Sequence, residues 1–311
     1  MIIVIIVIII IIIIYLCSKK DINIKYFDSH NAYIYVMNNN NDYIENMTTT
    51  NLIARKCKSK KELLNKYKLD AFDDITNFEK NIVNKNISII LNKIKYINNK
   101  YYKFLKKWLN KIYIAKSKSW LEFNMPHTYG NLIIMNNEWF IKPNIKVLIH
   151  ELTHIQQRLY PNYFIKLYNE LGYINTNITN IFQINELNRN NPDGININWI
   201  WKNFKNNEFW WCGVIFKSYN PNNLHDVIYI AIKINMYNNN LSLSNTIIFL
   251  NEFIDFLEFF GNYNDNYHPN EMCAMYSEWY LDEILNNNYY DYPGYNIYKN
   301  FMNNILSKNI F

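Results

Sequence analysis

Six glycines and seven prolines in 311 residues are too few for a collagenous repeat or a Pro/Gly-rich linker, and alanine is scarce as well. The four cysteines, Cys17, Cys57, Cys212 and Cys273, show no metal-ligand spacing, so neither a cysteine-based zinc site nor a disulfide framework is expected. Neither sign of charge dominates: 32 basic residues against 26 acidic ones leave a net charge of +6. The lysines are spread along the chain without a basic-aromatic motif, so no nucleic-acid partner is expected and the charge reads as a solvated surface. Asn, Ile, Tyr and Lys fill the sequence instead. That is the bias of an AT-rich coding sequence, and no single Asn, Lys or Ile carries an argument. Half of the residues are apolar, which excludes a disordered chain and allows a sizeable core in one large domain or two small ones.

One long hydrophobic run is present, from Ile2 to Leu16, closed by Cys17-Ser18-Lys19-Lys20. At about 15 apolar residues it is short for an upright span, but its hydrophobicity is extreme and the lysines can snorkel. No basic stretch precedes it and no small-x-small site follows it. An uncleaved transmembrane anchor over residues 1–17 is therefore favoured over a cleaved signal peptide. The expected localisation is the membrane, with a single N-terminal pass and the basic flank holding the C-terminal bulk on the cytosolic side.

Residues 18–60, polar and Asn-rich, read as a stalk or extension. From Lys60 to about Asn110, apolar residues recur at helical spacing. Strands follow at 112–115 and 131–135, with Asn136-Asn137 a turn before 139–141. A strand in this place can form one edge of a cleft in which an extended peptide pairs with exposed backbone. The stretch 175–240 reads as a β-rich insertion with a hairpin around Asn220-Pro221-Asn222-Asn223, its tryptophans packing in the core. An amphipathic helix is expected from Ser244 to Gly261, and a last major one from Pro269 to about Leu285. No internal repeat is present. The expected fold class is α+β.

The most informative stretch is Val147 to Arg158, which contains His150-Glu151-Leu152-Thr153-His154, the pattern His-Glu-x-x-His. Residues four apart share one helix face, so His150 and His154 can aim two imidazoles at one point, with Glu151 beside them. That is half of a tetrahedral zinc site. The segment should be helical, with Asn144 as its cap, Leu148, Leu152, Ile155 and Leu159 as a buried stripe, and Pro161 as its stop.

A catalytic zinc takes three protein ligands and keeps one open position. The positions that carry a glycine and the third histidine in metzincins hold Gln157 and Tyr160 here, which excludes that class. Glu271 is the strongest candidate, in the first turn of the helix starting at Pro269. Ala274 stands three positions on, and a small residue there lets the helix approach the histidine helix closely. His268 and Glu278 are the next candidates. The segment Asn270-Glu271-x-x-Ala274 resembles the Asn-Glu-x-x-(small) segment of gluzincins, the glutamate-ligated zincin metallopeptidases. The resemblance covers two short segments, about 147–160 and 268–278, and the acidic residue that often follows the small one is Met275 here.

The resemblance implies a zincin-like domain over 61–311, with a small sheet over the histidine helix and a helical C-terminal part. One zinc ion would be held by His150, His154 and Glu271, and the substrate would be a peptide or protein. Glu151 would be the general base that takes the proton of a zinc-activated water and delivers it to the leaving amine. His268, Tyr267 and Tyr263 are candidate stabilisers of the oxyanion, and Asn270 can orient one histidine. The alternative is a catalytically inert zincin-like membrane protein with a binding or structural role.

Overall fold

A computed structural model describes residues 24–39, 43–176, 182–193, 198–237, 240–262 and 267–310. The chain begins with strand β1 (Lys25–Tyr26) and helices α1 (Ser29–Asn39), α2 (Thr49–Ala54) and α3 (Lys60–Asp70). Strand β2 (Phe72–Asp73) and the helices α4 (Asn77–Ile97) and α5 (Asn99–Leu109) follow. Thr76 and Glu79 close α4 with a reciprocal capping box, as helical spacing with a Thr-x-x-Glu start dictates. Strands β3 (Tyr113–Ser117), β4 (His127–Tyr129) and β5 (Leu132–Met135) then join β1 and β2 in one sheet, in the order β1-β3-β5-β4 with β2 beside β3.

The sheet is covered on both faces. On β5, Ile133 and Met135 enter the main core with Leu148 and Leu152, while Leu132 and Ile134 point the other way, onto Ala32, Val36 and Leu63. Parallel neighbours β1, β3 and β5 account for this, since parallel strands require cover on each side. The N-terminal segment supplies one of those covers. Residues 24–39 and 43–57, within the stretch expected as a stalk, are packed: β1 pairs with β3, and Ile44, Met47 and Leu52 are buried. Their apolar residues are too widely spaced among asparagines to show a period.

Helix α6 (Asn137–Ile141) replaces the third apolar stretch of the expected sheet, because Asn136 caps it through Trp139 N. The histidine helix α7 (Ile145–Leu159) is capped by Asn144, and Tyr160 separates it from α8 (Pro161–Glu170). Leu148, Leu152 and Ile155 are buried as the stripe requires, whereas Leu159 is exposed.

Beyond β6 (Tyr173–Asn175) and α9 (Phe182–Leu187), strands β7 (Trp199–Lys202), β8 (Phe209–Phe216), β9 (Val227–Tyr237) and β10 (Asn240–Phe249) complete a second sheet, an antiparallel meander β10-β9-β8-β7-β6. The described part of this stretch is β-rich, its hairpin joins β8 to β9, and Trp199, Trp201, Trp210 and Trp211 are buried. The meander runs on to Phe249, where a helix from Ser244 was expected. An irregularity in the β9-β10 register between Leu243 and Ile247 breaks the strict alternation that would have marked a strand. Only then come α10 (Ile254–Phe260), ended by Gly261 at φ +92°, α11 (Pro269–Asn286) and α12 (Pro293–Lys308).

The expected membrane localisation is corrected. Among the described residues no helix is long and apolar enough to cross a membrane, and the segment that carried the expectation, 1–17, lies outside them. What stands is an α+β protein with two sheets and a helical C-terminal part.

Candidate metal centre

Among the described residues, helices α7 and α11 make the most extensive helix-helix contact, and small side chains allow it. Ala274, Ser277 and Thr153 are buried at the crossing, where Thr153 Oγ1 donates to Ser277 Oγ at 2.9 Å. Close approach brings residues more than a hundred positions apart to one point. His150 Nε2 lies 3.2 Å and His154 Nε2 3.7 Å from Glu271 Oε2, and one ligand atom from each of the three residues falls within 4.8 Å of the others.

Zinc bonds of about 2.1 Å in tetrahedral geometry place ligand atoms roughly 3.4 Å apart, so this trio has the dimensions of three corners of such a site. Its hydrogen bonding points the same way. His150 Nδ1 donates to Glu278 Oε1 at 2.7 Å, and His154 Nδ1 donates to Gln157 Oε1 at 2.9 Å. With both Nδ1 atoms donating elsewhere, each Nε2 faces the same Glu271 oxygen and can offer its lone pair to a cation placed between them. His154 Nε2 is buried without a hydrogen-bond partner. The residues therefore fit a metal ion. Without one, the carboxylates hold a proton on His150. Burial opposes its charge, but hydrogen bonds to Glu271 and Glu278 outweigh burial and raise its pKa well above the usual value. Glu271 moves in the opposite sense: burial would raise its pKa, but the imidazoles of His154 and His150 bring it down to about 2.

Glu278 is seven residues after Glu271, two turns along the same face of α11, so it reaches the far side of the His150 ring. It orients His150 instead of replacing Glu271. Asn270 acts through its backbone: Gln157 Nε2 donates to Asn270 O at 2.8 Å, which fixes the amide that in turn fixes His154.

Glu151 is buried, and its Oε2 has no hydrogen-bond partner. Burial and the neighbouring Asp193 charge push its pKa well above the usual carboxylate range. His268 serves as the N-cap of α11, its Nδ1 accepting from Asn270 N at 3.1 Å. Tyr267 lines the cleft and sets its ring edge-on to Tyr229 at 5.8 Å. Tyr263 lies outside the described residues.

A strap between α9 and β7, residues 188–193, completes the site and was not foreseen. Asn191 Nδ2 donates to Glu271 Oε1 at 3.0 Å. Asp193 Oδ1 accepts from Thr128 N at 2.8 Å, on edge strand β4, and lies close to Glu151 and His154. The strap is held from behind: Asn51 Nδ2 donates to Asn188 O, and Arg55 Nη2 to Asn190 O. Arg55 itself is paired with buried Glu122 at 2.7 Å. In an Asn-rich chain, Asn190-Asn191-Pro192-Asp193 reads as one more turn. The cleft has a volume of about 250 Å³ and is bordered by Met125, Pro126, Val147, Arg189 and Tyr267 besides the ligand and base residues.

Compared with known protein families, curated proteins and solved structures, the chain matches none.

Proposed function

We propose that the protein is a zinc-dependent metallopeptidase of the glutamate-ligated zincin type. The observation that carries this reading is the convergence of His150, His154 and Glu271 on one point beside Glu151 in an open cleft. In this reading zinc supplies Lewis acidity at the scissile carbonyl. Glu151 takes the proton of the attacking water and hands it to the leaving amine, a role suited to a carboxylate whose proton affinity is raised by burial. His150 and His154 are held in register by Glu278 and Gln157.

The test is elemental analysis of the purified chain together with hydrolysis of a peptide library. One zinc per chain is expected, sharply reduced in Glu271→Ala. Glu151→Gln should keep the zinc and lose at least about 100-fold in rate. Wild-type protein without stoichiometric zinc ends the proposal, and undiminished hydrolysis by Glu151→Gln ends the role of the base.

A further inference from the structure

The net charge of +6 is not shared evenly along the chain. Residues 80–121 hold eleven lysines and no acidic residue, so the remainder carries a net charge of −5. Most of that stretch is the hairpin of α4 and α5. We propose that the outward face of this hairpin docks on an anionic phospholipid surface. The contact is independent of the metal centre; it lies on the bilayer and requires no helix that spans it.

Helix α4 has two unlike faces. Val83, Ile87, Leu91 and Ile94 are buried in the main core. Opposite them on the helical wheel run Phe78, Lys85, Ile89, Lys93 and Tyr96. Phe78 is 74 %, Ile89 47 % and Tyr96 88 % exposed. Exposed apolar residues are ordinary when scattered singly, but three on one line of about 27 Å form a ridge, and exposed Ile97 follows at the corner between the helices. Lysines accompany the ridge. Lys116 and Lys118 are paired with Glu79 and Asp73, whereas Lys85, Lys93, Lys100 and Lys103 are exposed and have no ion pair among the described residues.

Chemistry selects the partner. Aromatic and aliphatic side chains that alternate with lysines along one helix face suit the boundary of a bilayer, where the apolar groups enter the headgroup layer and the lysine stems snorkel to anionic lipid. A protein partner fits less well, because lysine is depleted from protein interfaces. Nucleic acid also fits less well: residues 80–121 contain no arginine, the residue whose fork pairs with phosphate, and a ridge that includes Ile89 gives bases no partner to stack on.

The experiment is flotation of the full chain with vesicles of phosphatidylcholine alone and of phosphatidylcholine with about 30 % phosphatidylserine. Any contribution of the apolar run Ile2 to Leu16 is common to both vesicles and drops out of their ratio. The chain should partition at least about 10-fold more strongly onto the anionic vesicles at ~0.1 M salt, and ~0.5 M salt should remove most of that preference. Lys85→Glu combined with Lys93→Glu should abolish the preference. Ile89→Ser combined with Tyr96→Ser should weaken anionic binding at least about fivefold. Equal partition onto both vesicles, a preference that survives the lysine reversals, or binding unchanged by the Ile89 and Tyr96 substitutions overturns the proposal. So does lysine-dependent binding of RNA or duplex DNA without binding of vesicles. The comparison of vesicles and of salt with the wild-type chain decides alone if a variant does not fold.

Discussion

Glu278 offers the sharpest test of how the proposed metal centre is built. Its carboxylate accepts from His150 Nδ1 at 2.7 Å, which fixes both the tautomer and the plane of the ring. Loss of such a partner lowers metal affinity by about 10- to 100-fold. The Glu278 side chain keeps 22 % exposure, so water can replace part of its role. For Glu278→Ala the expected loss is therefore about 10- to 30-fold, or about 1.4–2 kcal/mol. Competition with a fluorescent zinc chelator reads this directly, at zinc concentrations spanning the wild-type dissociation constant. Stoichiometry at saturating zinc should remain one per chain in Glu278→Ala and fall in Glu271→Ala. Affinity within about threefold of wild type would refute the orienting role. Lost stoichiometry in Glu278→Ala with zinc retained in Glu271→Ala would exchange the roles of the two glutamates.

Further predictions concern the framework behind the cleft. Arg55→Met leaves Glu122 buried without its counter-ion and should cost about 3–5 kcal/mol in urea unfolding. Glu122 also sets a pH dependence. Burial would raise its pKa, but the Arg55 charge outweighs burial and holds it below the usual value. Because the folded pKa is the lower one, the pair's contribution is complete above the unfolded value of about 4.3 and fades as pH falls through the folded value. The stability gap between wild type and Glu122→Gln should thus be full at neutral pH and shrink in acid, and a gap that widens in acid contradicts the assignment. Gly213→Ala should destabilise the second sheet, because an added Cβ would stand 2.2 Å from the Trp211 ring; an unchanged melting temperature refutes this. Trp108→Ala, at a fully buried position in the main core, should cost about 3–5 kcal/mol by the same urea assay.

Several parts of this molecule were legible along the chain because their determinants are local. The histidine helix follows from its cap, its apolar stripe and Pro161, and the four-residue spacing alone puts His150 and His154 on one face. Pro269 and Ala274 marked a helix able to come close, and the Phe209–Phe216 and Val227–Tyr237 strands announced themselves by composition. Where the period was interrupted, the reading failed. The shifted register between Leu243 and Ile247 concealed a strand, and the scattered apolar residues of 24–57 concealed a layer of the core.

By itself the sequence determined that His150 and His154 share a helix face with Glu151 beside them, and which helices carry them and Glu271, since hydrogen bonds and side-chain periodicity within a few residues decide these. Only the tertiary structure decided which carboxylates do what. Glu271 and Glu278 share a helix face, and the crossing of α7 and α11 places one at both Nε2 atoms and the other at Nδ1 of His150. It likewise decided that Asn191, Asp193 and Arg189 belong to the site, because long-range anchoring by Asn51 and Arg55 has no signature at the strap itself.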